Sequence, residues 1–215
     1  MKRGIFGKSM EFRCHSTIGP VCRRAEVVTM SYVAVATLIL VIIMVLSRVA
    51  IMRKKGIEAM KFGEMDKRDY FVIPFVLLYF YIILSTVIDL PELGTKLFKS
   101  EIVGWMGIAL CVFGLFIFLF SLIAFGKSFR VGIDEDHPGE LVTSGVFAIS
   151  RNPIYTAFLL ILLGVFLIIP NWILLLYLVA GFWFINRQIF LEEDSLQKIY
   201  GEEYRNYCKK VRRYL

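Results

Sequence analysis

Two short segments in the C-terminal half of the chain carry most of the residues that could do chemistry. The first combines turn-forming glycine, aromatic rings and a cation, and it contains Gly139-Glu140-Leu141-Val142, Phe147 and Arg151-Asn152-Pro153-Ile154-Tyr155. The second begins with the paired carboxylates Glu192-Glu193. A guanidinium group binds anions, and a carboxylate binds cations. If the fold brings the two segments together, they could enclose a ligand with one anionic and one cationic end.

The composition indicates that these segments belong to a membrane protein. Of the 215 residues, 58% are hydrophobic and only 20% are charged, and the mean hydropathy is +0.68. These values are too apolar for an ordinary soluble domain and exclude a disordered chain. The four cysteines are too scattered for a disulfide framework, so we expect free thiols. The net charge of +7 fits basic flanks of membrane spans better than a nucleic-acid partner.

Five apolar stretches predict the helices that position the two segments. Stretches of 22 and 23 residues, at 31–52 and 103–125, are long enough to cross the bilayer, and 71–88 is a third span with Pro74 near its start. Two shorter stretches, 154–169 and 172–185, are separated by a Pro-Asn turn signal and predict a helical hairpin. We therefore predict an all-α polytopic membrane protein with about five transmembrane helices, the last two forming a short hairpin.

The distribution of positive charge predicts the orientation. Lys and Arg number six in 53–70, three in 126–153 and seven in 186–215, against six in 1–30 and two in 89–102. By the positive-inside rule, the loop before the hairpin and the C-terminal tail face the cytoplasm. A hairpin returns the chain to the side from which it entered, so both chemical segments lie on that side.

Three regions follow from this pattern. Residues 1–30 are a basic segment that ends at Met30, just before the first apolar stretch, and the hypothesis is that they are not part of the mature fold. Residues 31–125 form three transmembrane helices, and 126–215 form the core that carries the chemistry. In the tail, apolar residues at spacings of three or four predict a cytoplasmic amphipathic helix, broken near Gly201, with a stripe formed by Leu196, Tyr200, Tyr204, Tyr207, Val211 and Tyr214.

The motif residues also resemble a known family. Leu141-Val142-Thr143-Ser144-Gly145-Val146-Phe147, Arg151-Asn152-Pro153-Ile154-Tyr155, Glu192-Glu193 with Leu196, and Tyr200-Gly201-Glu202-Glu203-Tyr204 with Tyr207 are similar to motifs of the isoprenylcysteine carboxyl methyltransferases and their phospholipid methyltransferase relatives. The likeness covers roughly residues 100–215. It implies an integral membrane enzyme that transfers a methyl group from S-adenosylmethionine to a lipophilic acceptor. By the same resemblance, the cofactor contacts fall on Gly139, Glu140, Leu141, Val142, Phe147, Asn152, Pro153, Ile154, Tyr155 and Glu192.

Two positions depart from the family pattern. Asn152 stands where the family usually has His, and Gln188 stands where an arginine for a substrate carboxylate is expected. The neighbouring Arg187 is about 100° around the helix from Gln188. These two residues are the substrate candidates. The acceptor, a carboxylate or an amine, stays open.

Within the implied reaction, Arg151, Tyr155 and Glu193 are the catalytic candidates. Arg151 could pair with the carboxylate of the cofactor or with an anionic acceptor. An ammonium acceptor must lose a proton, and Glu193 or Tyr155 could take it. The reaction needs no metal, and the run 134–137 (Asp-Glu-Asp-His) is interpreted as a solvated loop because consecutive residues rarely converge on one ion.

Two other classes of protein remain open. One is a nicotinamide-dependent membrane reductase, since some small polytopic reductases end in similarly charged, aromatic tails. The other is a non-catalytic membrane protein. That class predicts polar residues within the spans, whereas the long spans here hold almost none.

Overall fold

The computed structural model of the protein describes residues 20–54, 72–88, 90–125 and 141–215, with side chains from Thr29 in the first helix and Pro74 in the second. The described part contains five α-helices and one short 3₁₀ helix. The α-helices are α1 (Pro20–Lys54), α2 (Val72–Leu84), α3 (Glu101–Phe125), α4 (Pro153–Ile168) and α5 (Trp172–Lys210), and the 3₁₀ helix is Gly145–Ala148. The all-α prediction is confirmed.

Three of the helices contain a segment long and apolar enough to cross a membrane: Thr29–Lys54, Glu101–Phe125 and Trp172–Lys210. The remaining two, α2 and α4, are apolar but shorter. The predicted boundary at residue 30 falls inside α1, which begins at Pro20. Residues 1–19 lie outside the described residues, so the division into three regions stays a prediction.

The predicted span 71–88 is too long at its C-terminal end. α2 ends at Leu84, and residues 85–88 form turns. The hydroxyls of Ser85 and Thr86 donate to the carbonyl oxygens of Ile82 and Ile83, at 2.8 and 2.7 Å. Such local bonds compete with the helical pattern of the backbone.

Small residues bring α3 and α4 into close contact. A Cβ atom added at Gly107 would lie 2.6 Å from the carbonyl oxygen of Gly164, and one added at Gly164 would lie 2.7 Å from Sγ of Cys111. Helices in membranes use small residues in this way because close backbone approach increases the van der Waals contact between them. The packing fixes α4, whose N-terminal end carries Arg151 to Tyr155, against the long helix α3.

The predicted hairpin and its turn are confirmed. Asn171 caps α5 by accepting a hydrogen bond from the amide of Ile173 (2.8 Å), and its amide group donates to the carbonyl oxygen of Leu93 (2.6 Å). The amide of Leu97 donates to the carbonyl oxygen of Pro170 (2.7 Å). The turn is therefore anchored to the loop before α3, and α5 returns alongside α4.

The second arm of the hairpin and the C-terminal helix are one element. α5 continues past the predicted arm 172–185 to Lys210, with a kink at Gly201, where φ is +53°. The kink confirms the predicted break, and a residue with a side chain would be strained there. The predicted apolar stripe is wrong at its end, because the helix ends at Lys210 and Val211 is extended, so Val211 and Tyr214 lie beyond it.

Candidate active site

The site begins at the N-terminal end of α4. Asn152 is the N-cap residue and Pro153 occupies the first turn, where the missing amide hydrogen of proline costs no helical bond. The amide of Asn152 donates to Oγ of Ser150 (3.2 Å), and its carbonyl oxygen accepts from both the amide and the hydroxyl of Thr156 (3.0 Å each). The Asn152 side chain makes no capping bond. It is therefore available to reach across to α5.

Glu193 on α5 receives that side chain together with two guanidinium groups. Asn152 Nδ2 donates to Oε1 of Glu193 at 3.1 Å, and Nη1 of Arg151 lies 3.4 Å from the same oxygen. Arg213 binds the carboxylate through Nε (3.1 Å) and Nη2 (2.7 Å) to Oε2. The Glu193 side chain is only 11% exposed. Glu193 is thus a largely buried carboxylate that interacts with three donor residues, two of which are cationic.

Glu192 is in a different electrostatic environment. Its Oε1 accepts a hydrogen bond from the hydroxyl of Tyr155 and another from Nε2 of Gln188 (3.2 Å). Both donors are neutral. Adjacent residues of a helix point about 100° apart. Consequently the two neighbouring carboxylates have different surroundings, and no cation pairs with Glu192 among the contacts seen in the described part of the chain.

Arg151 carries an unused donor. Its Nη1 contacts Glu193 and donates to Sγ of Cys208 (2.7 Å), whereas its Nε is buried without a hydrogen-bond partner in the part of the chain that is described. Buried donors are rarely left unpaired in proteins. One cluster thus contains a guanidinium nitrogen without a hydrogen-bond partner among the described residues, Nε of Arg151, and a carboxylate that is hydrogen-bonded by neutral donors only, Glu192. Such a pair of groups suits a ligand with one anionic and one cationic end.

The C-terminal residues complete the site, and sequence analysis missed them. The amide of Arg151 donates to the carbonyl oxygen of Arg212 (2.9 Å), and Asn152 Nδ2 also contacts the carbonyl oxygen of Arg213 (3.3 Å). The hydroxyl of Tyr214 donates to Oδ1 of Asn186 on α5. Hydrogen bonding to Glu193 raises the pKa of Arg213 above its usual value by favouring the charged form.

The structure brings together six of the predicted site residues: Arg151, Asn152, Tyr155, Gln188, Glu192 and Glu193. Leu141, Val142 and Ile154 are half-buried, and Pro153 is buried. Arg187 is exposed, unlike its neighbour Gln188. Gly139 and Glu140 lie outside the described residues.

Phe147 belongs to the packing beside the site. Its ring meets that of Phe125 edge-on, with 4.6 Å between centroids, and its carbonyl oxygen accepts a hydrogen bond from the hydroxyl of Tyr207 (2.6 Å). The contacts tie the 3₁₀ helix to the end of α3 and to α5. Among the residues that the structure describes, no group of three or more His, Cys, Asp or Glu side chains is placed to hold a metal ion.

The fold and this cluster together define a helical membrane protein with a polar site at one end of a hairpin. Residues 102–203 match the phospholipid methyltransferase family. This range contains α3, α4 and the part of α5 that carries both glutamates. The predicted resemblance to the phospholipid methyltransferases is therefore confirmed.

Curated relatives confirm the predicted resemblance to the isoprenylcysteine carboxyl methyltransferases. The chain is 28% identical over 133 residues to a probable protein-S-isoprenylcysteine O-methyltransferase of Oryza sativa subsp. indica, a match covering 60% of this chain and 66% of the relative. It is 31% identical over 94 residues to the protein-S-isoprenylcysteine O-methyltransferase of Schizosaccharomyces pombe, covering 42% of this chain and 40% of the relative. The chain thus spans just under two thirds of the first relative and less of the second.

A solved structure shares the fold. The eukaryotic intramembrane Ras methyltransferase, an isoprenylcysteine carboxyl methyltransferase, superposes with a TM-score of 0.53 at 20% identity. The match covers 76% of this chain and 58% of that one.

Proposed function

We propose that this protein is an integral membrane methyltransferase that transfers a methyl group from S-adenosylmethionine to a lipophilic acceptor. The proposal is carried by two groups of the cluster. Glu192 accepts hydrogen bonds from neutral donors only, and Nε of Arg151 is buried without a hydrogen-bond partner among the described residues. S-adenosylmethionine has an ammonium and a carboxylate on its amino-acid end. The donor set therefore fits it, and the match of residues 102–203 to a methyltransferase family supports the same assignment.

In this proposal Glu192 and Arg151 bind groups of opposite charge on the methyl donor. Glu192 binds the ammonium group or the ribose hydroxyls, and Arg151 binds the carboxylate. The remaining cofactor contacts are those implied by the family motifs: Gly139, Glu140, Leu141, Val142, Phe147, Asn152, Pro153, Ile154 and Tyr155. When bound, S-adenosylmethionine supplies a methyl group on a sulfonium that is open to nucleophilic displacement. The protein aligns the reactants and excludes water from them.

The proton requirement depends on the acceptor. A carboxylate acceptor needs no base, whereas an ammonium acceptor must lose a proton before it can attack. Tyr155 is the candidate that can pass this proton on, because its hydroxyl donates a hydrogen bond to the Glu192 carboxylate, which takes up the proton in its place. Glu193 is held by Arg151, Asn152 and Arg213, so we assign it the role of positioning these groups.

The acceptor reaches the site from the bilayer. Large apolar side chains of α5 are exposed on the way to the glutamates, with Val179 62%, Trp183 60% and Phe184 58% exposed. Beyond them, Gln188 donates to Glu192 and Arg187 is exposed, which supports both as contacts for the polar end of a lipophilic acceptor.

We further propose that the five helices cross or enter the membrane with the site facing the cytoplasm. The excess of Lys and Arg in 53–70 and 186–215 supports this orientation. Single cysteines at Ser144 and Asp194, both exposed, are expected to react with an impermeant reagent from the cytoplasmic side of sealed vesicles. Labelling of the two positions from opposite sides would contradict a common site.

The proposed reaction is tested by incubating membranes that contain the protein with S-adenosylmethionine labelled in its methyl group. We expect the label in the lipid fraction, in a product that mass spectrometry identifies as a methyl ester or a methylated amine. Membranes with the Tyr155→Phe, Glu192→Gln double variant serve as the control. Equal labelling of lipids by both membranes would contradict the proposal.

A further inference from the structure

The chain folds back on the site after α5 ends. We call residues 211–215 the tail segment. Residue 211 is extended, and Ser150 pairs with Arg212 in a parallel backbone bridge. The hydroxyl of Ser150 donates to the carbonyl oxygen of Arg213 at 3.2 Å, and Ser150 is fully buried. The tail segment thus lies against the loop that leads into α4.

Arg213 projects from the tail segment onto α5. Its guanidinium binds Glu193 through two nitrogens and lies over the ring of Phe190, 4.3 Å from the ring centroid. The planar fork of arginine suits both contacts, since it pairs with a carboxylate at two points and stacks on an aromatic face. Arg213 therefore fixes the position and the rotamer of the Glu193 side chain.

We infer that Arg213 is a positioning residue for the active site, acting through Glu193 on Arg151 and Asn152. With Arg213 bound, the Glu193 carboxylate is shared between two guanidinium groups, and Arg151 is held at 3.4 Å with its Nε unused. Without Arg213, Arg151 is the remaining cation at Glu193 among the described residues, and it turns toward that carboxylate. Its Nε then leaves the orientation in which it can bind a ligand.

Arg213 lies outside the segment that matches the family, because that segment ends at residue 203. The inference rests on the proposed function, because the affected step is binding and alignment of the methyl donor. It makes the tail segment part of the site, although the tail segment carries no catalytic group.

The test compares Arg213→Ala and Arg213→Lys with the matched variants Arg205→Ala and Arg205→Lys in the full-length protein. Arg205 is an exposed arginine near the same end of α5 that pairs with Glu202. We expect Arg213→Ala to lower kcat/KM for S-adenosylmethionine by roughly 100-fold, because a misplacement of about 1 Å in an active site can have an effect of this size. The loss should appear mainly in kcat and in the affinity for S-adenosylhomocysteine. The Arg205 variants should match the unmodified protein.

Arg213→Lys keeps the charge and loses the fork. It is expected to fold and to give a value between those of Arg213→Ala and the unmodified protein. In a Glu193→Ala background, Arg213→Ala should add little further loss, because the two act as a unit.

Two outcomes separate this inference from the proposed function. If the unmodified protein binds S-adenosylhomocysteine and both Arg213 variants bind it equally well with unchanged kcat, the positioning role is overturned alone. If the unmodified protein binds none, the proposed function is overturned first, and the positioning role with it.

Discussion

Glu192→Gln is expected to weaken the binding of S-adenosylhomocysteine by about 10- to 100-fold, because a hydrogen bond to a charged group contributes about 1.5–3 kcal/mol and each 1.4 kcal/mol is tenfold in affinity. Glutamine has the shape of glutamate and can still accept hydrogen bonds from Tyr155 and Gln188. The substitution thus removes the charge that faces the ammonium group and leaves the packing in place. Isothermal titration calorimetry in detergent measures the change.

The matched control is Glu202→Gln. Glu202 lies on the same helix beyond the kink at Gly201, and its side chain is 73% exposed in a surface pair with Arg205. This variant should bind as the unmodified protein does. Equal affinities for the Glu192 and Glu202 variants would show that Glu192 does not bind the ligand.

Glu193→Ala is expected to destabilise the protein by about 3 kcal/mol, since breaking a buried ion pair leaves an uncompensated charge in a poorly solvated position. Two guanidinium groups and one amide lose their common acceptor, and the side chain of Arg151 is only 14% exposed. We take the lower end of the expected range because Arg213 is one-third exposed and can regain water. Denaturant unfolding in mixed micelles measures the loss.

Glu203→Ala is the corresponding control because Glu203 is an exposed acidic residue on the same helix. Its free energy of unfolding should stay close to that of the unmodified protein. If the two variants lost the same stability, the ion pairs around Glu193 would not hold the tail segment to the helices.

Local sequence signals predicted the helices and the turn that position the site. The apolar stretches predicted all five helices, the Pro170-Asn171 dipeptide predicted the turn, and Gly201 predicted the kink in α5. Each depends on a property of neighbouring residues, such as hydropathy or backbone freedom. The hairpin also predicted that Arg151–Tyr155 and Glu192-Glu193 lie close together, because a hairpin returns the chain to the side from which it started.

The tail segment could not be predicted in this way. The spacing of apolar residues predicted that the amphipathic helix continues to residue 214. The helix in fact ends at Lys210, and the carbonyl oxygens of Arg212 and Arg213 instead accept hydrogen bonds from Ser150, Arg151 and Asn152, about sixty positions earlier. Those partners exist only once α4 and α5 have packed. The different environments of Glu192 and Glu193 depend on the same packing.

The most direct test of the methyl-donor site is calorimetry of the unmodified protein with S-adenosylhomocysteine and, separately, with NADPH. We expect saturable binding of S-adenosylhomocysteine at micromolar concentrations and none of NADPH. Binding of NADPH without S-adenosylhomocysteine would indicate a membrane reductase, and binding of neither would indicate a non-catalytic protein. Either result would contradict a methyl-donor site at Arg151 and Glu192.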